Sequence, residues 1–159
     1  MKSLLIKPSN NYGFSFIEII LCLTLLGVLS WIAIPKDFWT NPMNLDAATR
    51  KVEADVRLAQ SMATTTGQSH GFQVTGNSTY QIYNVSTGTV VTSPYTNQSL
   101  TIDLTTDFGG VTFQSTTYQV VFDSSGIPTT GGGTSIQLNS QGNSKQISIS
   151  ATSGYINLL

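Results

Sequence analysis

Charge is scarce in this chain: Asp, Glu, Lys and Arg make up 9% of its 159 residues. From Gln68 onward the charged side chains are Asp103, Asp107, Asp123 and Lys145 alone. Binding to a phosphate backbone gains affinity with each Lys or Arg that displaces counterions, so a nucleic-acid partner is disfavoured. Tyr80, Tyr83, Tyr95, Tyr118 and Tyr155 have no basic neighbours in the sequence; they read as core or sheet-face residues rather than base-stacking platforms. The sole cysteine is Cys22, which rules out an intramolecular disulfide and reads as a small apolar side chain. His70 is the sole histidine. With no Gly-x-Ser-x-Gly elbow it reads as a surface or strand-end residue, and no catalytic residue is assigned. No Cys cluster or His pair suggests a metal, and no cofactor is expected. Asp103, Asp107 and Asp123 lack a dense calcium-loop pattern, although a site using backbone carbonyls stays open. The stretch Thr129-Thr130-Gly131-Gly132-Gly133-Thr134 lacks the lysine of a phosphate loop. It reads as a flexible turn able to touch a neighbouring subunit.

One long apolar run is present, from Phe14 to Ile34, and Glu18 is its single charge. As a helix rising about 1.5 Å per residue it would cover roughly 30 Å, the thickness of a hydrocarbon core. A carboxylate there costs about 2.5–3.5 kcal/mol on insertion scales, so it calls for a specific partner. A secretory signal has a shorter apolar core with a small-residue cut site after it. Here the run ends in Trp31-Ile32-Ala33-Ile34-Pro35-Lys36, so removal after the core is not expected. A plain anchor with Glu18 reaching the headgroups is the competing reading, since the residue lies about 6 Å of rise from Phe14.

Lys2 and Lys7 precede Gly13, and Gly13-Phe14-Ser15-Phe16-Ile17-Glu18 opens the run. This resembles the prepilin leader of type IV pilins and type II secretion pseudopilins. Pro35 also stands where that family commonly has proline, while Ser15 and Phe16 replace its usual Thr and Leu. The resemblance implies that a membrane prepilin peptidase cuts between Gly13 and Phe14 and that the new Phe14 amine is methylated. A free amine at Phe14 would be a second costly charge, opposite in sign to Glu18. At about 4 Å and an effective dielectric near 20 the two attract by roughly 4 kcal/mol, which offsets much of their desolvation. Glu18 is therefore expected to pair with the Phe14 amine of a neighbouring subunit and set filament register. The leader lysines favour a cytoplasmic N-terminus, and Trp31, Phe38 and Trp39 would mark the outer interface.

Beyond the run, Pro35 should kink or loosen the helix, and Asn41-Pro42 offers an N-cap followed by proline. Leu45, Ala48, Val52, Val56, Ala59 and Ala63 then step by three or four, with Asp46, Arg50, Lys51, Glu53, Asp55 and Arg57 mainly elsewhere. That spacing predicts an amphipathic helix stopping near Gly67. After it the period becomes two: Phe72 and Val74, a turn at Gly76-Asn77, Tyr80, Ile82 and Val85, then Leu100, Ile102 and Leu104. Val111 and Phe113, Tyr118, Val120 and Phe122, Ile136 and Leu138, Ile147 and Ile149, and Ile156 and Leu158 continue it. Short strands and turns predict an antiparallel sheet, or two, covered on one face by the helix stripe.

The class is thus α+β: a long N-terminal helix, transmembrane and then amphipathic, packed on an antiparallel β-sheet head. The expected organisation is a leader at 1–13, a transmembrane helix at 14–35, its amphipathic continuation at 36–67 and a β-rich periplasmic head at 68–159. The helix running into short strands, with Val121-Phe122-Asp123-Ser124-Ser125-Gly126, Ile147-Ser148-Ile149-Ser150 and Ser153-Gly154-Tyr155-Ile156, is similar to the pseudopilin H and FimT group. Members often carry Gly-Arg where this chain has Gly154-Tyr155, and the DNA-binding branch uses C-terminal arginines. The resemblance implies a minor pseudopilin of the type II secretion pseudopilus, a structural subunit in the bacterial inner membrane. Its implied partners are other pseudopilins or pilins, the prepilin peptidase, an inner-membrane assembly platform and membrane lipid. A minor pilin of a type IV pilus, serving assembly, adhesion or DNA uptake, is the alternative. A monomeric anchored binding domain is the third.

Overall fold

The computed structural model describes residues 13, 15–33, 40–93 and 96–159. The chain divides into two compact units, Met1–Lys36 and Asp37–Leu159. In the first, Phe16–Ala33 forms helix α1. Apart from Glu18, Thr24 and Ser30 its residues are apolar or small, with no proline, and the carbonyl of Ser15 accepts from the amides of Glu18 and Ile19 at 2.9 and 3.2 Å. The expected kink at Pro35 and the aromatics Phe38 and Trp39 lie outside the described residues, as does the side chain of Trp31.

The second unit begins with α2, Thr40–Thr66. The helix starts one residue ahead of the Asn41 N-cap read from sequence; Pro42 still falls in the first turn, where its missing amide costs no bond. Gly67 ends it with φ +67, a left-handed conformation that glycine adopts without strain. The Leu45, Ala48, Val52, Val56, Ala59 and Ala63 stripe is buried as expected. Asp55 departs from its assigned exposed face and is 4% exposed. It lies three residues past Val52, so helical geometry turns it inward. The tyrosine hydroxyl of Tyr80 donates to Asp55 Oδ2 at 2.6 Å, and Lys51 Nζ donates to the two oxygens at 2.7 and 2.8 Å.

Two antiparallel sheets follow. The first contains β1 His70–Val74, β2 Thr79–Asn84, β3 Thr101–Asp103, β5 Gln119–Phe122 and β6 Pro128–Thr130, in the order β3-β2-β1-β5-β6. The second contains β4 Thr112–Phe113, β7 Ser135–Ser140, β8 Asn143–Ile149 and β9 Ile156–Leu158, in the order β4-β7-β8-β9. Helix α2 packs on β1, β2 and β5 of one sheet and on β7, β8 and β9 of the other. A single core results, with Phe72, Ile82, Val120 and Phe122 meeting Ile136, Leu138, Ile147 and Ile156.

Three expectations are corrected. Leu104 does not extend the Leu100–Ile102 strand but starts a short helix, α3 Leu104–Phe108. Asp103 causes the switch, since its Oδ1 accepts from the amide of Thr105 at 3.0 Å and caps the turn. Val85 lies past the end of β2 and is exposed. The glycine-rich stretch is not a loose turn: Pro128–Thr130 pairs with β5 as an edge strand. Gly131, at φ +71, then passes so near β5 that a Cβ would stand 2.1 Å from the carbonyl oxygen of Gln119.

Burial drives the Tyr80 hydroxyl far above its ordinary 10.0, and the neighbouring Asp55 charge adds to the rise. The fold thus favours the protonated phenol. That stability is complete below pH 10.0 and is lost as the pH climbs beyond it, where the unfolded chain ionises and the folded one does not. Tyr80→Phe is expected to cost about 1.5–3 kcal/mol at neutral pH, the worth of a hydrogen bond to a charged group. Thermal melts should also fall less steeply above pH 10.0 than in the wild type; parallel slopes would refute the assignment.

Candidate assembly site

Glu18 lies in the first turn of α1 and is exposed. That position is favourable for a carboxylate, because the first amides of a helix carry partial positive charge. Around it the helix is apolar on every side: Phe16, Ile17, Leu23 and Val28 are 79, 70, 63 and 63% exposed. A helix that is apolar all round calls for apolar surroundings. Thr24 and Ser30 return their hydroxyls to the carbonyls of Leu21 and Leu26 at 2.8 and 2.7 Å, which removes two polar groups from that surface. Among the described residues no helix is long and apolar enough to cross a membrane. Helix α1 has 18 residues, about 27 Å of rise and just short of a hydrocarbon core of roughly 30 Å. Phe14 and Ile34, which would lengthen the run, lie outside the described residues. Gly13 is exposed, and a Cβ there would meet nothing within 4 Å. Among the described residues, no packing requires glycine at that position.

In the head, His70, Asp123 and Lys145 occupy structural positions. His70 is the first residue of β1, as expected of a strand-end histidine, yet it is buried, with Nδ1 2.8 Å from the carbonyl of Gln68. Asp123 accepts from the amides of Ser125 and Ile127 at 2.9 and 3.0 Å and closes the turn before β6. Lys145 pairs with Asp46 on α2. Arg50 first and Lys145 second hold the Asp46 carboxyl down to about 2. Among the described residues no three His, Cys, Asp or Glu are grouped to hold a metal. Tyr80 is core, Tyr83 and Tyr118 are half-buried, and Tyr155 is 63% exposed.

Two side chains of α2, Gln60 and Arg57, neither given a role by the sequence, fasten later turns of the head to the helix. Gln60 Nε2 donates to the carbonyls of Gly126 and Gly154 at 2.8 and 3.0 Å. Arg57 donates to the carbonyl of Ile156 at 2.6 Å while pairing with Glu53 at 2.8 Å. The signal was position: both stand one residue beside the apolar stripe, next to Val56 and Ala59.

An antiparallel head backed by a helix, after an apolar helix with one acid in its first turn, defines a pilin-like filament subunit. The match to known families gives the same class. The family described as Type II transport protein GspH matches residues 48–153, more than half of the chain, and this chain belongs to that family. Two crystal structures of the type IV minor pilin FimU of Pseudomonas aeruginosa (strain PAO1) share the fold. The form in space group P21 is 17% identical with a TM-score of 0.59, covering 76% of this chain and 92% of that one. The form in P65 is 18% identical with a TM-score of 0.55, covering 72% and 92%. At that identity the likeness concerns architecture. No curated protein matches the chain.

Proposed function

We propose that this chain is a minor pseudopilin, a non-catalytic structural subunit of the type II secretion pseudopilus. Membership of the GspH family carries this reading, and Glu18 as the one charge of an apolar helix explains how the subunit assembles. Residues 14–35 anchor it in the bacterial inner membrane by a single pass, with the leader 1–13 cytoplasmic, 36–67 continuing the helix and the head at 68–159 periplasmic. The prepilin peptidase removes the leader after Gly13 and methylates the Phe14 amine, as the likeness of Gly13-Phe14-Ser15-Phe16-Ile17-Glu18 to a prepilin leader implies. An inner-membrane platform lifts the helix out of lipid into a hetero-oligomeric filament. There Glu18 meets the Phe14 amine of the adjoining subunit. The head contributes shape and hydrogen-bonding surface rather than chemistry, and with Lys145 engaged by Asp46 it offers little to nucleic acid.

The likeness to FimU favours a second reading, a minor pilin of a type IV pilus. Deletion separates the two: loss of exoprotein secretion with normal piliation supports the first, and the reverse supports the second. Mass spectrometry of the purified protein tests what both share. The expected mass lacks residues 1–13 and carries one methyl group on Phe14. A chain starting at Met1 would leave a plain anchored domain.

A further inference from the structure

Among the described residues, no strand pairs with the outer edge of β3. The carbonyl of Ser78 accepts from the amide of Leu104 at 2.9 Å, and the carbonyl of Leu100 accepts from the amide of Ile82 at 3.1 Å. With Tyr80 opposite Ile102 in the same register, residues 102 and 104 direct their backbone groups at β2, while Leu100 gives its carbonyl to Ile82 and its amide to Val91 at 2.8 Å. That direction alternates along an antiparallel ladder. The N–H and C=O of Thr101 and the N–H of Asp103 therefore turn away from the sheet. Strand β3 ends the strand order and Thr101 is exposed, so these groups look into a groove of about 480 Å3 lined by Lys51, Gln98, Thr101, Asp103, Thr106 and Asp107.

We infer that this groove receives an extended segment of a neighbouring pilin-like subunit, which adds to the first sheet as a strand beside β3. The inference rests on the filament reading above. A row of outward donors and acceptors on an edge strand is a template for another main chain. Among the described residues, the charge left uncompensated in the groove is acidic: Asp107 is exposed on α3, and Asp103 Oδ1 is already engaged by Ser78 and Thr105. Lys51, which also lines it, is committed to Asp55 at 2.7 Å. The field beside Asp107 selects a strand carrying Lys or Arg over an acidic one. Phe113, Tyr118 and the second sheet take no part.

Hydrogen exchange on the full chain tests it, comparing detergent-solubilised subunit with sheared filaments. The Thr101 and Asp103 amides are expected to exchange at least about tenfold more slowly in the filament, the factor for some 1.4 kcal/mol. The Leu104 and Ile82 amides, already bonded within the head, should change little. Thr101→Pro removes an outward donor and spares the bonds to β2, since proline is tolerated on edge strands. Asp107→Lys reverses that acidic charge. Each is expected to reduce the share of the chain in filaments by about tenfold, with the melting temperature of solubilised protein unchanged. Should Thr101→Pro lower that temperature, Asp107→Lys decides alone. Unprotected amides in filaments that contain the chain, or variants that assemble as wild type, overturn strand addition and leave the functional reading intact. Complete absence of the wild-type chain from filaments overturns both.

Discussion

Phe72→Ala is expected to lower the stability of the head by about 3–5 kcal/mol, a large part of the 5–15 kcal/mol that holds a typical domain folded. Phe72 is fully buried in β1. Its ring lies 4.9 Å from that of Tyr80, which in turn meets Phe113 edge-on at 5.9 Å. Truncation leaves a cavity beneath α2 and removes the support that keeps the Tyr80 hydroxyl on Asp55. Both sheets contribute to this aromatic row, since Phe113 belongs to β4. Urea denaturation of the solubilised protein should therefore show a lower midpoint in one transition. A loss under 1 kcal/mol would mean that the core does not depend on this contact.

Glu18→Ala carries the second large effect, at the opposite end of the molecule. In a filament the Phe14 amine would lose its counter-charge, and breaking one side of a desolvated pair costs about 3–5 kcal/mol. Incorporation beside wild-type neighbours is expected to fall by at least about a hundredfold, the factor for 2.7 kcal/mol. Immunoblots of sheared filaments read this directly. Residue 18 belongs to the unit Met1–Lys36, so the head should melt as before, which separates failed assembly from failed folding. Wild-type incorporation of the variant would remove the pairing idea.

The elements read best from sequence were those whose pattern had one physical cause. Ala48, Val52, Val56, Ala59 and Ala63 fall on one side of a helix, and all are buried in α2. Alternation located β1, β2, β5, β7, β8 and β9. Leu104 misled because the same alternation runs one residue past Asp103, whose side chain, not its neighbours' hydropathy, stops the strand. Pro128 and the glycines after it masked β6, because an edge strand needs few ladder bonds and tolerates residues that read as a turn. Asp55 was missed because a burial pattern counts apolar residues, and its place inside depends on Tyr80, 25 positions further on. The proposed assembly residues came from two other signals: Glu18 stands out as a single charge in an apolar run, and Gly13 and Phe14 were picked out by their resemblance to a prepilin leader. The outer edge of β3, unpaired among the described residues, was invisible in sequence, since strand order decides which backbone groups are left without a neighbour.

The bonds from Gln60 to Gly126 and Gly154, together with that from Arg57 to Ile156, bear on how the head answers to load. On the proposed filament reading, a subunit pushed and pulled through its helix must pass force into the sheets without one peeling off ahead of the other. Because α2 is fastened to the last turns of both, tension entering along it is divided at those anchor points. The head should then yield in a single abrupt event rather than fray strand by strand.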